Sequence, residues 1–204
     1  MMHIALFGGS FDPPHLGHFA MALLIRELFS PDQILLSVSQ NPFKTDSSAE
    51  TYHRVEMTKL MARELNKTGE VFEVFDWELS RPAPSFTIDT IRYIHGQNPT
   101  AQLTLCIGED NFNLFSKWKN YEKILTYASL AVFKRPSQNG QPINDSFLIA
   151  PEDLERKVTV IDFNSDFSSS EIRKNLATGE SVDEGLLPEV LQYLRKHCLY
   201  NVMG

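Results

Sequence analysis

The sequence predicts an α/β protein of the doubly wound, Rossmann-like class, a mainly parallel sheet with helices on both faces. Three observations predict it. Short apolar runs that read as strands alternate with longer stretches of helical spacing along the whole chain. The first of these strands runs directly into the pair Gly8-Gly9 and then into a helix-permissive stretch, half of a βαβ nucleotide-binding unit. No apolar run reaches the roughly 18 residues that a membrane-spanning helix requires.

Taken in order, His3–Phe7 reads as a buried strand and Phe19–Phe29 as a helix. Gln33–Ser39 is a second strand, leading into the polar, proline-bearing stretch Gln40–Ser48, expected as a surface loop. Glu50–Asn66 has helical spacing, with Val55, Met57, Leu60, Met61 and Leu65 on its apolar side. Arg54, near the start of that helix, opposes the helix dipole and hints at an anion partner. Val71–Phe75 alternates apolar and acidic residues, as a strand near a sheet edge does. Pro82 and Pro84 make a stiff turn, after which Ser85 or Thr87 can cap a helix running to about Gly96. Capping alone would explain those hydroxyls. Gln102–Ile107, Ser129–Phe133 and Val158–Phe163 complete the strands, with an irregular polar excursion from Ser137 to Arg156 between the last two. A serine cluster at 168–170 opens a further helix, and Pro188–His197 reads as an amphipathic closing helix with proline in its first turn. One domain over 1–204 is expected, with a C-terminal helical part from about 168 packed on it.

Composition narrows the classes. At 204 residues, with 42% hydrophobic and 22% charged residues, the chain is long enough for a sizeable core. A net charge of −7 disfavours a nucleic-acid-coating role, because binders of the phosphate backbone are usually basic. The N-terminus leads straight into a strand, without a basic or signal-like segment, and Cys106 and Cys198 are the only cysteines. Neither a leader nor a disulfide framework is expected, and a reducing cytoplasm fits. No membrane or nucleic-acid partner is expected.

The chemistry-bearing residues gather at strand ends. Gly8 and Gly9 let the backbone approach a phosphate, and the next helix start offers amide donors and a positive dipole end. His15 and His18, three apart around Gly17, can face the same ligand and donate N–H to phosphate oxygens. Glu109-Asp110-Asn111 follow the fourth strand, where a carboxylate can accept from ribose hydroxyls. Trp118 stands between Lys117 and Lys119, a polar setting for a tryptophan. Ser168–Ser170 and Arg173 offer hydroxyls and a bidentate cation to a phosphate, although a solvated helix cap explains the serines equally. The dehydrogenase pattern G-x-G-x-x-G is absent, against a redox Rossmann domain.

The block GGSFDPPHLGH resembles the signature of the nucleotidylyltransferase superfamily. The full order GGSFDPPHLGH, NPFK, ELSRPAPSFTIDT, GEDNFNLFSKW, SSSEIR and YLRKHCLY resembles the bacterial nicotinate-nucleotide adenylyltransferases over nearly the whole chain. The chain departs from that pattern at Phe86, where the family often has tyrosine, and at Glu109, where a small residue is common.

What the resemblance implies is transfer of AMP from ATP to nicotinate mononucleotide, giving deamido-NAD and pyrophosphate by direct in-line attack. It further implies that Gly8, Gly9, Ser10 and Phe11 hold the ATP side with His15 and His18 on the phosphates. Asp110 would hold the adenosine ribose, Ser169 and Arg173 the triphosphate, and Lys44 would close over the reacting phosphates. Ser85, Phe86, Thr87 and Trp118 would take nicotinate mononucleotide. Magnesium, Mg²⁺, is expected to arrive on the ATP phosphates with few or no protein ligands, and no protein-built metal site is expected. Oligomeric state is left open, a homo-oligomer included. The alternatives are an enzyme that also accepts nicotinamide mononucleotide, a phosphopantetheine adenylyltransferase, and a non-catalytic nucleotide-binding module.

Overall fold

Alternation along the strands builds the protein. In β1 (His3–Gly9), Ala5 and Phe7 enter one apolar cluster while Ile4 and Leu6 enter another. Successive side chains point to opposite faces, so a strand that is apolar at every position must be covered on both sides. The computed structural model describes residues 1–40, 49–82, 84–134 and 157–201, with Asn201 by its backbone alone. Lys44, most of the expected surface loop and the expected polar excursion from Ser137 to Arg156 lie outside the described residues.

The six strands form one parallel sheet in the order β3-β2-β1-β4-β5-β6. They are β1, β2 (Gln33–Val38), β3 (Phe72–Phe75), β4 (Gln102–Gly108), β5 (Ser129–Lys134) and β6 (Val158–Asp162). Registers such as Leu6 opposite both Leu35 and Leu105 carry the same apolar rows across the sheet. β3, whose Glu73 is exposed, is an edge strand. On one face α3 (Thr87–Gln97), the single turn α4 (Glu109–Phe112) and α5 (Tyr121–Tyr127) bury Ile88, Ile91, Phe112 and Ile124 against β1 and β4. On the other, α1 (Leu16–Phe29), α2 (Thr51–Leu65), α6 (Ser169–Thr178) and α7 (Pro188–Lys196) share a core with Phe7, Phe11, Ile172, Val190 and Leu194.

Two helix starts differ from expectation. α1 begins three residues earlier than the apolar run suggests, because histidine at 15 caps it: the His15 side chain accepts from Gly17 N–H. α3 has Phe86 at its N-cap and no side-chain cap at all, so neither Ser85 nor Thr87 acts as the expected cap. The serine at 168 does cap α6, its Oγ accepting from Glu171 N–H at 3.2 Å.

Candidate active site

The strand order reverses direction of growth at β1 and β4, and ligands of such sheets bind in the crevice outside the carboxyl ends at that point. Here the two ends are Gly8-Gly9 and Gly108. A Cβ at Gly8 or at Gly108 would meet no atom within 4 Å, so both backbones border open space. That space is a cavity of about 510 Å³, within the size of small-molecule sites. Gly8, Gly9, Ser10, His15, His18, Ser85, Phe86, Thr87, Asp110, Trp118 and Ser169 all line it. Residues that the sequence scatters over 160 positions thus share one continuous crevice.

The two histidines are held by reciprocal capping. His15 Nδ1 accepts from Gly17 N–H at 3.1 Å, and His18 Nδ1 accepts from the backbone N–H of His15 at 3.3 Å. A nitrogen that accepts carries no proton, so in each neutral ring the proton belongs to Nε2. The rings lie 3.8 Å apart, with Phe11 5.0 Å from His18 on the core side. Gly17 is required sterically: a Cβ there would come within 2.5 Å of Ser165 Oγ and 2.9 Å of the His15 ring. Ser169 Oγ donates to Pro13 O at 3.0 Å, tying the start of α6 to the same loop.

Two members of the expected set, Phe11 and Arg173, are not among the residues that line the cavity. Phe11 is fully buried with φ of 46°, its ring packed 3.1 Å from where a Gly9 Cβ would project. Arg173 donates through Nη1 to Asp12 O at 2.7 Å and through Nη2 to the Oγ of Ser170, a cavity-lining residue, at 3.4 Å. Arg54 likewise serves the protein: it is buried and donates to Ser10 O at 2.9 Å and Ser39 O at 2.8 Å. The anion hint at Arg54 is therefore corrected to a carbonyl clamp. Burial lowers its guanidinium pKa, and the nearby Asp12 carboxylate opposes that shift.

At the other end of the crevice, Trp118 is half-buried and leans on Phe115 with ring centroids 5.4 Å apart. Lys119 sets its ammonium 4.3 Å from the centre of the Phe86 ring and 3.8 Å from Asp89 Oδ2. Ser85 Oγ and Ser37 Oγ are buried at the cavity and hydrogen-bond to nothing among the described residues. Buried hydroxyls in that state are costly unless a ligand or water completes them. Glu78 is buried beside them and accepts from Thr90 Oγ1 at 2.8 Å. Burial pushes its carboxyl pKa up, against the Thr90 and Gln40 hydrogen bonds that lower it. Sequence reasoning passed over Glu78, Ser37, Ser165 and the role of Lys119, because each acquires its place only through a neighbour distant in sequence.

The arrangement, a phosphate-type glycine turn, two Nε2 donors and an aromatic end joined in one crevice, defines a nucleotide-handling α/β domain. The chain belongs to the cytidylyltransferase-like family, whose sequence model matches residues 6–175. Within that class it belongs with the nicotinate-nucleotide adenylyltransferases. It is 48% identical to a probable nicotinate-nucleotide adenylyltransferase of Chloroherpeton thalassium and 44% identical to one of Chlorobium luteolum, each match covering 98% of both chains. Its fold is that of Plasmodium falciparum nicotinic acid mononucleotide adenylyltransferase, solved complexed with APC (TM-score 0.79) and with NaAD (TM-score 0.80). Each of these two chains is 21% identical, and the matches cover 100% of this chain and 99% of theirs.

Proposed function

We propose that this protein transfers AMP from ATP to nicotinate mononucleotide, giving deamido-NAD and pyrophosphate. The observation that carries the reading is the single cavity that joins the glycine–histidine end to the Trp118 end, since the reaction must bring two nucleotides together. The acceptor phosphate oxygen forms a bond to the α-phosphorus of ATP, and the bond from that phosphorus to the β-phosphate oxygen breaks, releasing pyrophosphate. The attacking oxygen is already ionised at neutral pH, so positioning and charge neutralisation supply the catalysis without an activated protein nucleophile.

His15 and His18 would donate through Nε2 to the phosphates, with Gly8, Gly9, Ser10 and Ser169 around them and Asp110 at the adenosine ribose. Lys44 is proposed to close over the reacting phosphates. Phe11 and Arg173 would act by shaping the loop. The pyridine ring of the acceptor would lie on Trp118, its carboxylate toward the uncapped start of α3, Ser85 Oγ and the Lys119 ammonium. Among the described residues no group of three or more His, Cys, Asp or Glu side chains is placed to hold a metal ion. Magnesium is proposed to enter bound to ATP oxygens and water, where it would neutralise the developing pyrophosphate. No helix of the described residues is long and apolar enough to cross a membrane, and the thiols of Cys106 and Cys198 are free. An ATP-consuming enzyme with free thiols fits the cytoplasm.

Pyrophosphate release from Mg-ATP, measured with nicotinate mononucleotide, nicotinamide mononucleotide and phosphopantetheine in turn, tests the reading. Efficient release with nicotinate mononucleotide is expected; release with phosphopantetheine alone would overturn it.

A further inference from the structure

The loop between β1 and α1 is gripped from behind by side chains from three separate elements. Arg54 of α2 holds the carbonyls of Ser10 and Ser39. Arg173 of α6 holds the carbonyl of Asp12 at 2.7 Å and approaches its carboxylate at 3.8 Å. Tyr200, in the short turn Leu199–Asn201, donates its hydroxyl to Asp12 Oδ1 at 2.5 Å across 188 residues. Asp12 is 2% exposed and Tyr200 7%, and none of these four residues lines the cavity.

The loop needs such a grip. Phe11, the residue before Asp12, has φ of 46°, a left-handed conformation that bulky residues adopt only when their surroundings hold them there. Tyr200 itself sits at φ 58°. Apolar burial alone would be served by phenylalanine at 200. A buried hydroxyl adds a desolvation cost, which the Asp12 carboxylate offsets. Burial and the neighbouring Asp12 both push the Tyr200 hydroxyl pKa up, so it remains a donor at any working pH.

We infer that Tyr200 is a positioning residue for adenylyl transfer: through Asp12 it fixes the Gly8–His15 loop so that the two histidines meet the ATP phosphates. The inference deepens the adenylyltransferase reading and rests on it. Tyr200 lies outside the cavity lining, and its effect passes through Asp12 and the strained Phe11 to the start of α1.

The test is Tyr200→Phe in the full chain, which keeps the ring and removes one oxygen. A displaced loop is expected to lower kcat about 10- to 100-fold, with KM for nicotinate mononucleotide changed by less than about twofold. Hydrogen exchange at the amides of residues 10–12 and 15 should quicken while the sheet strands keep their protection. Combining Tyr200→Phe with Arg173→Lys should give a loss well short of the product of the two single losses, because both act on Asp12. A folded Tyr200→Phe enzyme with kcat within about twofold of wild type would reduce Tyr200 to a structural tie and overturn the inference, whatever its melting temperature. Unchanged exchange at residues 10–12 and 15 would overturn it too, and that readout serves even where turnover is too low to measure. Absence of pyrophosphate release in the wild type would instead refute the assigned reaction; the exchange measurement would then still decide whether Tyr200 holds the loop.

Discussion

His15 and His18 cap the same helix for one another, each Nδ1 accepting a backbone N–H, with their rings 3.8 Å apart. The bonds that fix the helix start also fix which nitrogen carries the proton, so structure and chemistry are coupled in two residues. Replacing His18 with alanine removes an Nε2 donor and the acceptor for His15 N–H together. Turnover is expected to fall by roughly 10²–10³, the usual loss of one transition-state donor. Stability should fall by only about 1 kcal/mol, as for a lost cap. Steady-state kinetics beside thermal unfolding separates the two effects, and near wild-type kcat in the folded variant would remove His18 from the phosphate site.

Glycine substitutions should divide into two kinds. Gly8→Ala places its methyl in open space, so the protein is expected to fold normally and to lose ATP binding, since the methyl occupies room the phosphates need. Gly17→Ala drives its methyl into Ser165 Oγ and the His15 ring, so both stability and turnover should fall. Calorimetric ATP titration and unfolding of the two variants checks this; equal ATP affinity in Gly8→Ala and wild type would mean the phosphates lie elsewhere.

The sheet was legible because its cause is local. The central strands are short apolar runs, and alternation such as Ile4-Ala5-Leu6-Phe7 places both faces in core without reference to the rest of the chain. The glycine turn and the histidine pair were legible for the same reason. What escaped is what depends on distant partners. Arg54 looked like an anion ligand by its position on the helix, yet its guanidinium is spent on two carbonyls. Ser85 looked like a cap, yet its hydroxyl is buried at the cavity with no hydrogen-bond partner among the described residues. Tyr200 gave no local signal, since its meaning lies 188 residues away at Asp12.

Glu78 gives a pH prediction. Burial raises its pKa in the folded protein above the ordinary carboxylate range. Between the unfolded and folded values the folded state binds more protons, so stability falls as pH rises through that window. Below the unfolded value both states are protonated and the effect vanishes. Glu78→Gln should therefore flatten the dependence of melting temperature on pH just above the ordinary carboxylate range. Identical profiles for variant and wild type would show that another group carries the dependence.

Magnesium should be required although the described residues build no cage for it. Chelation is expected to abolish pyrophosphate release, and magnesium in the millimolar range typical of an ion held by substrate oxygens should restore it. Tight, submicromolar activation would contradict a substrate-borne ion, because it requires dedicated protein ligands.

Acceptor choice is expected to rest on Trp118 together with the start of α3. Nicotinate differs from nicotinamide by a carboxylate in place of a carboxamide, so the site must prefer an anion to a neutral donor. The uncapped start of α3 presents backbone N–H groups and the positive end of its dipole, and Lys119 adds an ammonium above Phe86. The same N–H groups would meet the amide –NH₂ donor to donor, which is unfavourable. The absence of a phenol at Phe86 removes one hydroxyl from that end, and the Lys119 cation stands over the ring instead. Trp118 is expected to supply the flat face for the pyridinium ring, where stacking and cation–π attraction act together. Trp118→Ala should then cost about 1–3 kcal/mol, the range of base–aromatic stacking. That is roughly 5- to 150-fold weaker use of the mononucleotide, with KM for ATP little changed. Lys119→Met, keeping Trp118, should narrow the preference between the two mononucleotides and leave KM for ATP alone. Equal efficiency with both acceptors in the wild type would reject an anion site, and a raised KM for ATP in Trp118→Ala would put the tryptophan on the other substrate.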